Sequence, residues 1–200
     1  MIKKGLLIAL LMSVFLKAEV LLDVRQEIAD SLKSVANDSG IDVRILYTLA
    51  KTESNFKPYI ISFLSSDFSL VKKLKQGFKN SIYDFKHSKY DDDRYAVSIS
   101  SSSKEAIKEL AVFFWDFNFN VDFGLMQISK QNLKKEELDY IFNPEYNVKK
   151  SKEILTMCAN RYLKAKDAIE CYNKGFARKK SYNYYAKFIN HYNIFFGDDK

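Results

Sequence analysis

The sequence predicts a mainly α domain with a minor β element, and three observations support this fold class. Apolar residues recur at helical spacing along most of the 200-residue chain. Strand-like runs do not alternate with helices, which disfavours a doubly wound sheet. Hydrophobic residues make up 47% of the chain and charged residues 28%, as is typical of a folded protein rather than a disordered one. The length suits a single domain.

The individual helices follow from periodicity combined with start signals. Asp42 is a candidate N-cap, residues 102–105 carry a capping-box pattern, and Pro144 suits a first helical turn. The predicted helices cover residues 24–36, 42–51, 68–78, 104–115, 145–162, 167–173 and 182–195. Residues 95–99 alternate weakly and indicate a strand. Residues 81–93 are polar and loop-like, and residues 118–128 are irregular around Gly124.

Residues 1–18 have the order of a secretory signal peptide, with a basic start, an apolar run and a small residue, Ala18. The apolar run is shorter than the ~20 residues that span a bilayer. We therefore expect a periplasmic or secreted domain of residues 19–200 without stable membrane insertion; an uncleaved anchor is the alternative. Cleavage removes three lysines and lowers the net charge from +7 to +4, a mild value that favours an anionic envelope polymer as partner.

The two cysteines have a different meaning in an exported chain than in a cytosolic one. Cys158 and Cys171 are 13 positions apart, and an even pair in an oxidising compartment suggests a disulfide. Two buried free thiols are the alternative. The chain has only two Cys and two His, widely scattered, so no metal cluster of the usual kind is expected.

Glu53 is the candidate acid because it lies at the end of an apolar helix. Packing against apolar groups disfavours the charged form of a carboxyl, which raises its pKa and makes it a usable general acid near neutral pH. An ordinary surface glutamate near a helix end is the alternative interpretation.

Two further motifs offer groups that suit carbohydrate chemistry. In residues 122–129, Gly124 permits a close backbone approach and Gln127 supplies an amide for hydroxyl and acetamido groups. In residues 170–175, the Tyr172 hydroxyl can orient a catalytic carboxyl, and Asn173 can hold a turn. A buried turn and a core tyrosine are the corresponding structural alternatives.

The three motifs, taken together and in this order, resemble the soluble lytic transglycosylase domain with its goose-lysozyme-like fold. The matching segments are Glu53-Ser54, Gly124-Leu125-Met126-Gln127-Ile128 and Tyr172-Asn173-Lys174-Gly175. Residues 103–110, 120–122 and 142–144 are similar to the subgroup that serves type IV secretion systems. The resemblance covers residues 41–189 and implies a lysozyme-like fold.

The resemblance also implies roles for single residues. Glu53 would be the catalytic acid and base, Tyr172 would position it, and Asn173 would hold the turn behind it. The other implied substrate-binding residues are Ser54, Gly124, Leu125, Met126 and Gln127. The implied reaction cleaves the β-1,4 bond after N-acetylmuramic acid in peptidoglycan and closes a 1,6-anhydro ring without a cofactor.

Glu53 and Gly124 are 71 positions apart, which is longer than the family generally uses. The extra length lies within residues 61–94, which could form a lid, a partner surface or a tolerated surface insertion. Tolerance is plausible on physical grounds because the cost of closing a loop grows slowly with its length.

Two other functions stay open at this point. A lysozyme-type muramidase would use water as acceptor and would need a second carboxylate, whereas Asp122 is expected to be a turn residue. A non-catalytic envelope protein would bind glycan or scaffold secretion-system components. A nucleic-acid binder is not expected, because the lysines are interleaved with Asp and Glu. A monomer is expected.

Overall fold

The computed structural model describes residues 23–176 and 183–197. The predicted signal segment 1–18 lies outside these residues, as does Tyr182 at the start of the last predicted helix. Within the described ranges, none of the helices has both the length and the apolar character needed to cross a membrane.

The described residues form seven α-helices around one antiparallel sheet, which confirms the mainly α prediction. In chain order the elements are α1 (residues 23–39), α2 (Val43–Ser54), β1 (Ile60–Ser65), α3 (Phe68–Gly77), β2 (Tyr83–Lys89), β3 (Tyr95–Ser101), α4 (Lys104–Asp116), β4 (Val121–Phe123), β5 (Ile128–Ser129), α5 (Pro144–Arg161), α6 (Ala165–Lys174) and α7 (Tyr184–Phe196). Two short 3-10 helices, Lys130–Asn132 and Lys135–Asp139, connect β5 to α5.

Side-chain caps fix the starts of three helices where the sequence predicts them. Asp42 accepts a hydrogen bond from the Arg44 backbone N–H at 2.8 Å, which begins α2. Ser103 accepts from the Ala106 N–H at 3.2 Å and begins α4. Asn143 caps α5 in the same way, with Pro144 at the first helical position. Each cap satisfies a backbone donor that the helix leaves without an internal acceptor.

The sheet is larger than the sequence analysis indicated. Its strand order is β2-β3-β1-β4-β5, and all neighbouring pairs are antiparallel. The prediction of a loop at residues 81–93 was wrong, because these residues contain β2. The stretch around Gly124 that was predicted to be irregular contains β4 and β5. Strand β2 alternates aromatic residues such as Phe85 with outward polar ones such as Lys86. Because half of its residues are polar, the sequence of β2 resembles that of a loop.

The long stretch between the first two motifs is a structural part of this sheet. Residues 61–94 contain most of β1, all of α3 and all of β2. Strand β1 lies at the centre of the sheet and pairs with both β3 and β4. Helix α3 packs through Val71, which is fully buried. The strand that leads into the Gly124 loop, β4, therefore depends on this stretch for one of its two hydrogen-bonded neighbours.

The larger of two apolar clusters in the described residues lies between the inner face of the sheet and the helices, and the smaller one surrounds Cys158 and Cys171. Phe63 of β1 packs against Phe114 of α4 with ring centroids 5.2 Å apart. Leu46 and Leu49 of α2 are fully buried in the same core. Helices α5 and α6 are joined by a Cys158–Cys171 disulfide, which confirms that prediction and excludes the two free thiols. Helix α2 thus runs through the core, and its last turn approaches the surface near α6 and α7.

Candidate active site

Glu53 lies in the last turn of α2, a helix with one face buried in the core. Ala50 and Leu49 are fully buried one turn before it. The helix ends because Asn55 adopts a left-handed conformation with φ 55°, and its N–H bonds to the Lys51 carbonyl at 3.1 Å. The backbone position of Glu53 is therefore fixed from both sides.

The Glu53 carboxyl contacts side chains from two other helices. The Tyr184 hydroxyl of α7 donates a hydrogen bond to Glu53 Oε1. Asn173 of α6 makes a second side-chain hydrogen bond to the carboxyl. Lys187, one turn after Tyr184, donates from Nζ to the Thr52 carbonyl at 2.8 Å and contributes a positive charge nearby. These contacts orient the carboxyl in one direction.

The environment of Glu53 favours the protonated acid. Burial raises its pKa from the ordinary value of 4.5 to about 7, and the negative charge of Asp122 acts in the same direction. The hydrogen bonds from Tyr184 and Asn173 and the charge of Lys187 lower the pKa but do not outweigh burial. A carboxyl with a pKa near neutrality can donate a proton and take one back at the same pH.

Asp122 is a second carboxylate near Glu53, and it lies in a strand rather than in the turn that the sequence suggested. It is part of β4, paired with Ser62 of β1 and with Ser129 of β5. Burial raises its pKa to about 6, while a hydrogen bond with the Ser129 side chain partly offsets that effect.

The loop between β4 and β5 is tight and requires glycine. Gly124 has φ 76°, and its N–H donates to the Ile60 carbonyl at 2.8 Å. A Cβ at this position would lie 2.4 Å from Asn147 Nδ2, closer than atoms can pack. Gln127, at φ 48°, donates from Nε2 to the Gly124 carbonyl at 2.9 Å. The side-chain amide of Gln127 thus stabilises the loop to which Gln127 belongs.

Asn147 of α5 holds this loop from inside the protein, a role that the sequence analysis missed. Its side chain is 1% exposed. Its Oδ1 accepts from the Met126 N–H at 2.7 Å, and its Nδ2 donates to the carbonyls of Phe123 at 3.1 Å and Ile141 at 2.9 Å. The sequence does contain a signal for this role, because Asn147 and Ser151 lie four positions apart on the apolar face of a predicted helix. Polar side chains buried there need hydrogen-bond partners.

The model of the transglycosylase SLT domain family matches residues 30–195, which includes every element from α2 to α6 and nearly all of α7. The chain belongs to this family. No curated protein and no solved structure gives a significant match. Membership implies lytic transglycosylase activity on peptidoglycan, and the observed mainly α architecture with a small sheet agrees with the lysozyme-like fold of SLT domains.

In this SLT domain the tyrosine hydroxyl that hydrogen-bonds to Glu53 is that of Tyr184, whereas Tyr172, which the resemblance implied, lies near enough to Glu53 to interact with it electrostatically. The Tyr172 hydroxyl donates to the Met126 carbonyl at 2.8 Å and lies 2.9 Å from Ser151 Oγ. Tyr172 therefore fixes the loop, and Tyr184 holds Glu53. Sequence reasoning missed Tyr184 because no local pattern in the last predicted helix, residues 182–195, distinguishes it from the other aromatic residues there.

Several of the residues implied as substrate-binding are buried. Leu125 and Met126 are fully buried, and Ser54 is buried with its hydroxyl donating to the Ala50 carbonyl at 3.2 Å. The expectation that these side chains line an open groove is corrected, because all three are buried. The implied residues with solvent-accessible surface are Glu53, Gln127, Tyr172 and Asn173.

Within the described ranges, three or more His, Cys, Asp or Glu residues do not come together in a possible metal site. The chemistry available to the site is proton transfer by Glu53, with Asp122 as a nearby negative charge.

Proposed function

We propose that Glu53 is the acid and base of a lytic transglycosylase that cleaves the β-1,4 bond between N-acetylmuramic acid and N-acetylglucosamine. The observation that carries the proposal is the environment of Glu53, in which burial raises the pKa of the carboxyl to about 7 within an SLT-family fold. The contacts from Tyr184 and Asn173 give the carboxyl a fixed orientation.

In the first step, protonated Glu53 donates its proton to the glycosidic oxygen, and the C1–O bond of N-acetylmuramic acid breaks. In the second step, the Glu53 carboxylate takes the proton of the C6 hydroxyl of the same sugar while O6 bonds to C1. Glu53 is then protonated again, and the product is a 1,6-anhydro ring. Attack within one sugar benefits from proximity, so no activated water is needed.

A muramidase that uses water is the second candidate, and Asp122 is the observation that favours it. Its charge is close enough to raise the pKa of Glu53, so a second carboxylate is present where the sequence suggested only a turn residue. Such a carboxylate could activate water or stabilise a positively charged sugar intermediate.

Product analysis separates the two reactions. Purified peptidoglycan sacculi are digested with the wild-type protein, with Glu53→Gln, and with Glu136→Gln, which changes an exposed glutamate as a control. Mass spectrometry then identifies the soluble fragments. We expect anhydro-ended muropeptides from the wild type and the control but not from Glu53→Gln. Reducing ends would show the muramidase, and no release by folded protein would contradict both enzymatic proposals.

We further propose that the protein acts in the periplasm or outside the cell, where it opens the wall locally for a secretion apparatus. The order of residues 1–18 and the Cys158–Cys171 disulfide support export. The link to secretion rests on the subgroup resemblance. Sequencing the N-terminus of protein from the periplasmic fraction tests export, and an intact Met1 in the membrane fraction would indicate an anchored protein instead.

A further inference from the structure

Helix α7 presents a row of polar side chains to the end of α2, the helix that carries Glu53. Tyr184, Lys187 and His191 are spaced i, i+3 and i+7 and therefore lie on one face of α7. Tyr184 donates to Glu53, whereas the other two contact the residue before it, Thr52. Proton transfer by Glu53 accounts for the first contact and assigns no role to the contacts on Thr52.

The contacts from α7 reach both polar groups of Thr52, its carbonyl and its hydroxyl. The carbonyl is one of the last four of α2, which have no N–H of the same helix to accept from. Lys187 Nζ donates to it at 2.8 Å, and a cation at the C-terminal end of a helix also suits the helix dipole. Thr52 is 4% exposed, so water has little access to either group.

The hydrogen bonds of the Thr52 hydroxyl determine which nitrogen of His191 carries the proton. The hydroxyl has a single proton, which it donates to the Thr48 carbonyl at 2.7 Å. His191 Nδ1 lies 3.0 Å from the same oxygen, which can therefore only accept from it. The proton of the neutral ring is then on Nδ1, and Nε2 is bare. Burial and the charges of Lys187 and Lys51 lower the pKa of His191, which favours the neutral ring at neutral pH.

Apolar packing alone defines the position of α7 only loosely. Of its 13 residues only Phe188 is buried, with 4% of its surface exposed. Phe195 and Phe196 contact the ring of Tyr47, but they lie at the opposite end of the helix from the candidate acid. Apolar contacts have little directional preference, whereas a hydrogen bond weakens steeply when its length or angle changes. The polar contacts on the end of α2 are therefore the ones that fix the register of α7.

We propose that His191 is a positioning residue for the candidate acid and acts through Thr52. Its Nδ1–H bond, together with the bond from Lys187, holds α7 in the register at which Tyr184 meets Glu53. The inference rests on the proposed function. A slip of one residue would shift a helix by about 1.5 Å and turn it by about 100°. A displacement of about 1 Å near the reacting groups can cost about 100-fold in rate.

The tautomer of His191 is tested without substrate, by ¹⁵N NMR of the protein labelled at its histidine ring nitrogens. A protonated and a bare ring nitrogen have different ¹⁵N shifts. The chain has only two histidines, so His87→Gln identifies the signals of His191. At pH 8 we expect a protonated Nδ1 and a bare Nε2. The opposite tautomer, or exchange between the two, would overturn the inference, because Thr52 would not receive the bond.

Substitutions at His191 separate the Nδ1 donor from the rest of the ring. The amide nitrogen of Asn can occupy the place of Nδ1, whereas that of Gln reaches the place of Nε2. We expect His191→Gln to lower kcat for release of anhydro products from uncross-linked peptidoglycan strands about tenfold, with little change in KM. His191→Asn should restore most of the rate, and Asn190→Gln, at an exposed position of the same helix, is the control. Equal losses in the Asn and Gln variants would contradict a role for the Nδ1 donor.

A double-mutant cycle in urea tests whether His191 acts through Thr52. Thr52→Val keeps the shape of the side chain but removes its hydroxyl. We expect Thr52→Val and His191→Gln together to lower the urea midpoint no further than the larger of the two single changes. Simple addition of the two effects would show that the residues do not share an interaction, which would refute the positioning role.

The outcomes separate this inference from the proposed function. A wild type that releases no anhydro products would contradict the proposed function, while the tautomer and the double-mutant cycle would still decide whether His191 bonds to Thr52. Anhydro products from the wild type together with an unimpaired His191→Gln would retain the enzyme and overturn the inference.

Discussion

Replacing Glu53 by Gln should abolish cleavage and at the same time stabilise the folded protein at neutral and alkaline pH. Burial raises the pKa of Glu53 to about 7 in the folded state, whereas the unfolded chain has the ordinary value of 4.5. The folded protein therefore holds this proton more tightly than the unfolded chain does. Its stability decreases as the pH rises from 4.5 to 7, and the full penalty is present above pH 7.

The size of the effect follows from the two pKa values. Their difference corresponds to about 3 kcal/mol of unfolding free energy, taken as an upper limit because Glu53 keeps some contact with water. Gln has nearly the same shape, carries no charge and does not titrate. It removes the penalty while still offering Tyr184 a hydrogen-bond acceptor.

The assay is urea denaturation of wild type, Glu53→Gln and Glu136→Gln at pH 4 and pH 8. We expect the advantage of Glu53→Gln over wild type to grow by about 2–3 kcal/mol between the two pH values. The exposed Glu136 control should show no comparable growth. An advantage that does not change with pH would refute the argument that burial keeps Glu53 protonated.

Three further predictions concern the neighbours of Glu53. Asp122→Asn removes a charge that raises the pKa of Glu53, so the alkaline limb of the pH–activity profile should move to lower pH; an unmoved limb would contradict the coupling. Gly124→Ala, with its Cβ 2.4 Å from the Asn147 amide, should lower the unfolding free energy by about 2–3 kcal/mol, measured in urea. Replacing Cys158 and Cys171 together by Ser should lower the unfolding free energy by about 3 kcal/mol in the same assay, since the disulfide closes a short loop.

The sequence predicts the helices well because their signals are local. The caps at Asp42 and Ser103 bond to neighbours two and three positions away, Pro144 acts at its own position, and each helix begins there. The sheet is harder to predict because its strands are short or half polar. Strand β4 has three residues, and its neighbour β1 lies about 60 positions earlier in the chain.

The candidate site shows the same division between local and long-range information. Glu53 could be selected from its place at the end of an apolar helix, and the glycine from its motif. The contact between Tyr184 and Glu53 joins residues 131 positions apart, and no local pattern indicates it. Asn147 likewise reaches the loop from 21 positions away. The motif resemblance identifies Tyr172 as a site residue, but only the folded structure shows which carbonyl its hydroxyl bonds to.

The disulfide connects the two helices that support the site from behind. Helix α5 carries Asn147 and Ser151, which hold the Gly124 loop directly or through Tyr172. Helix α6 carries Tyr172 and Asn173 immediately after Cys171, so the disulfide anchors the backbone that presents both side chains. Loss of the bond should therefore loosen the Asn173 contact on Glu53 as well as lower stability. An oxidising compartment would favour both the fold and the geometry of the acid, as the proposed export requires.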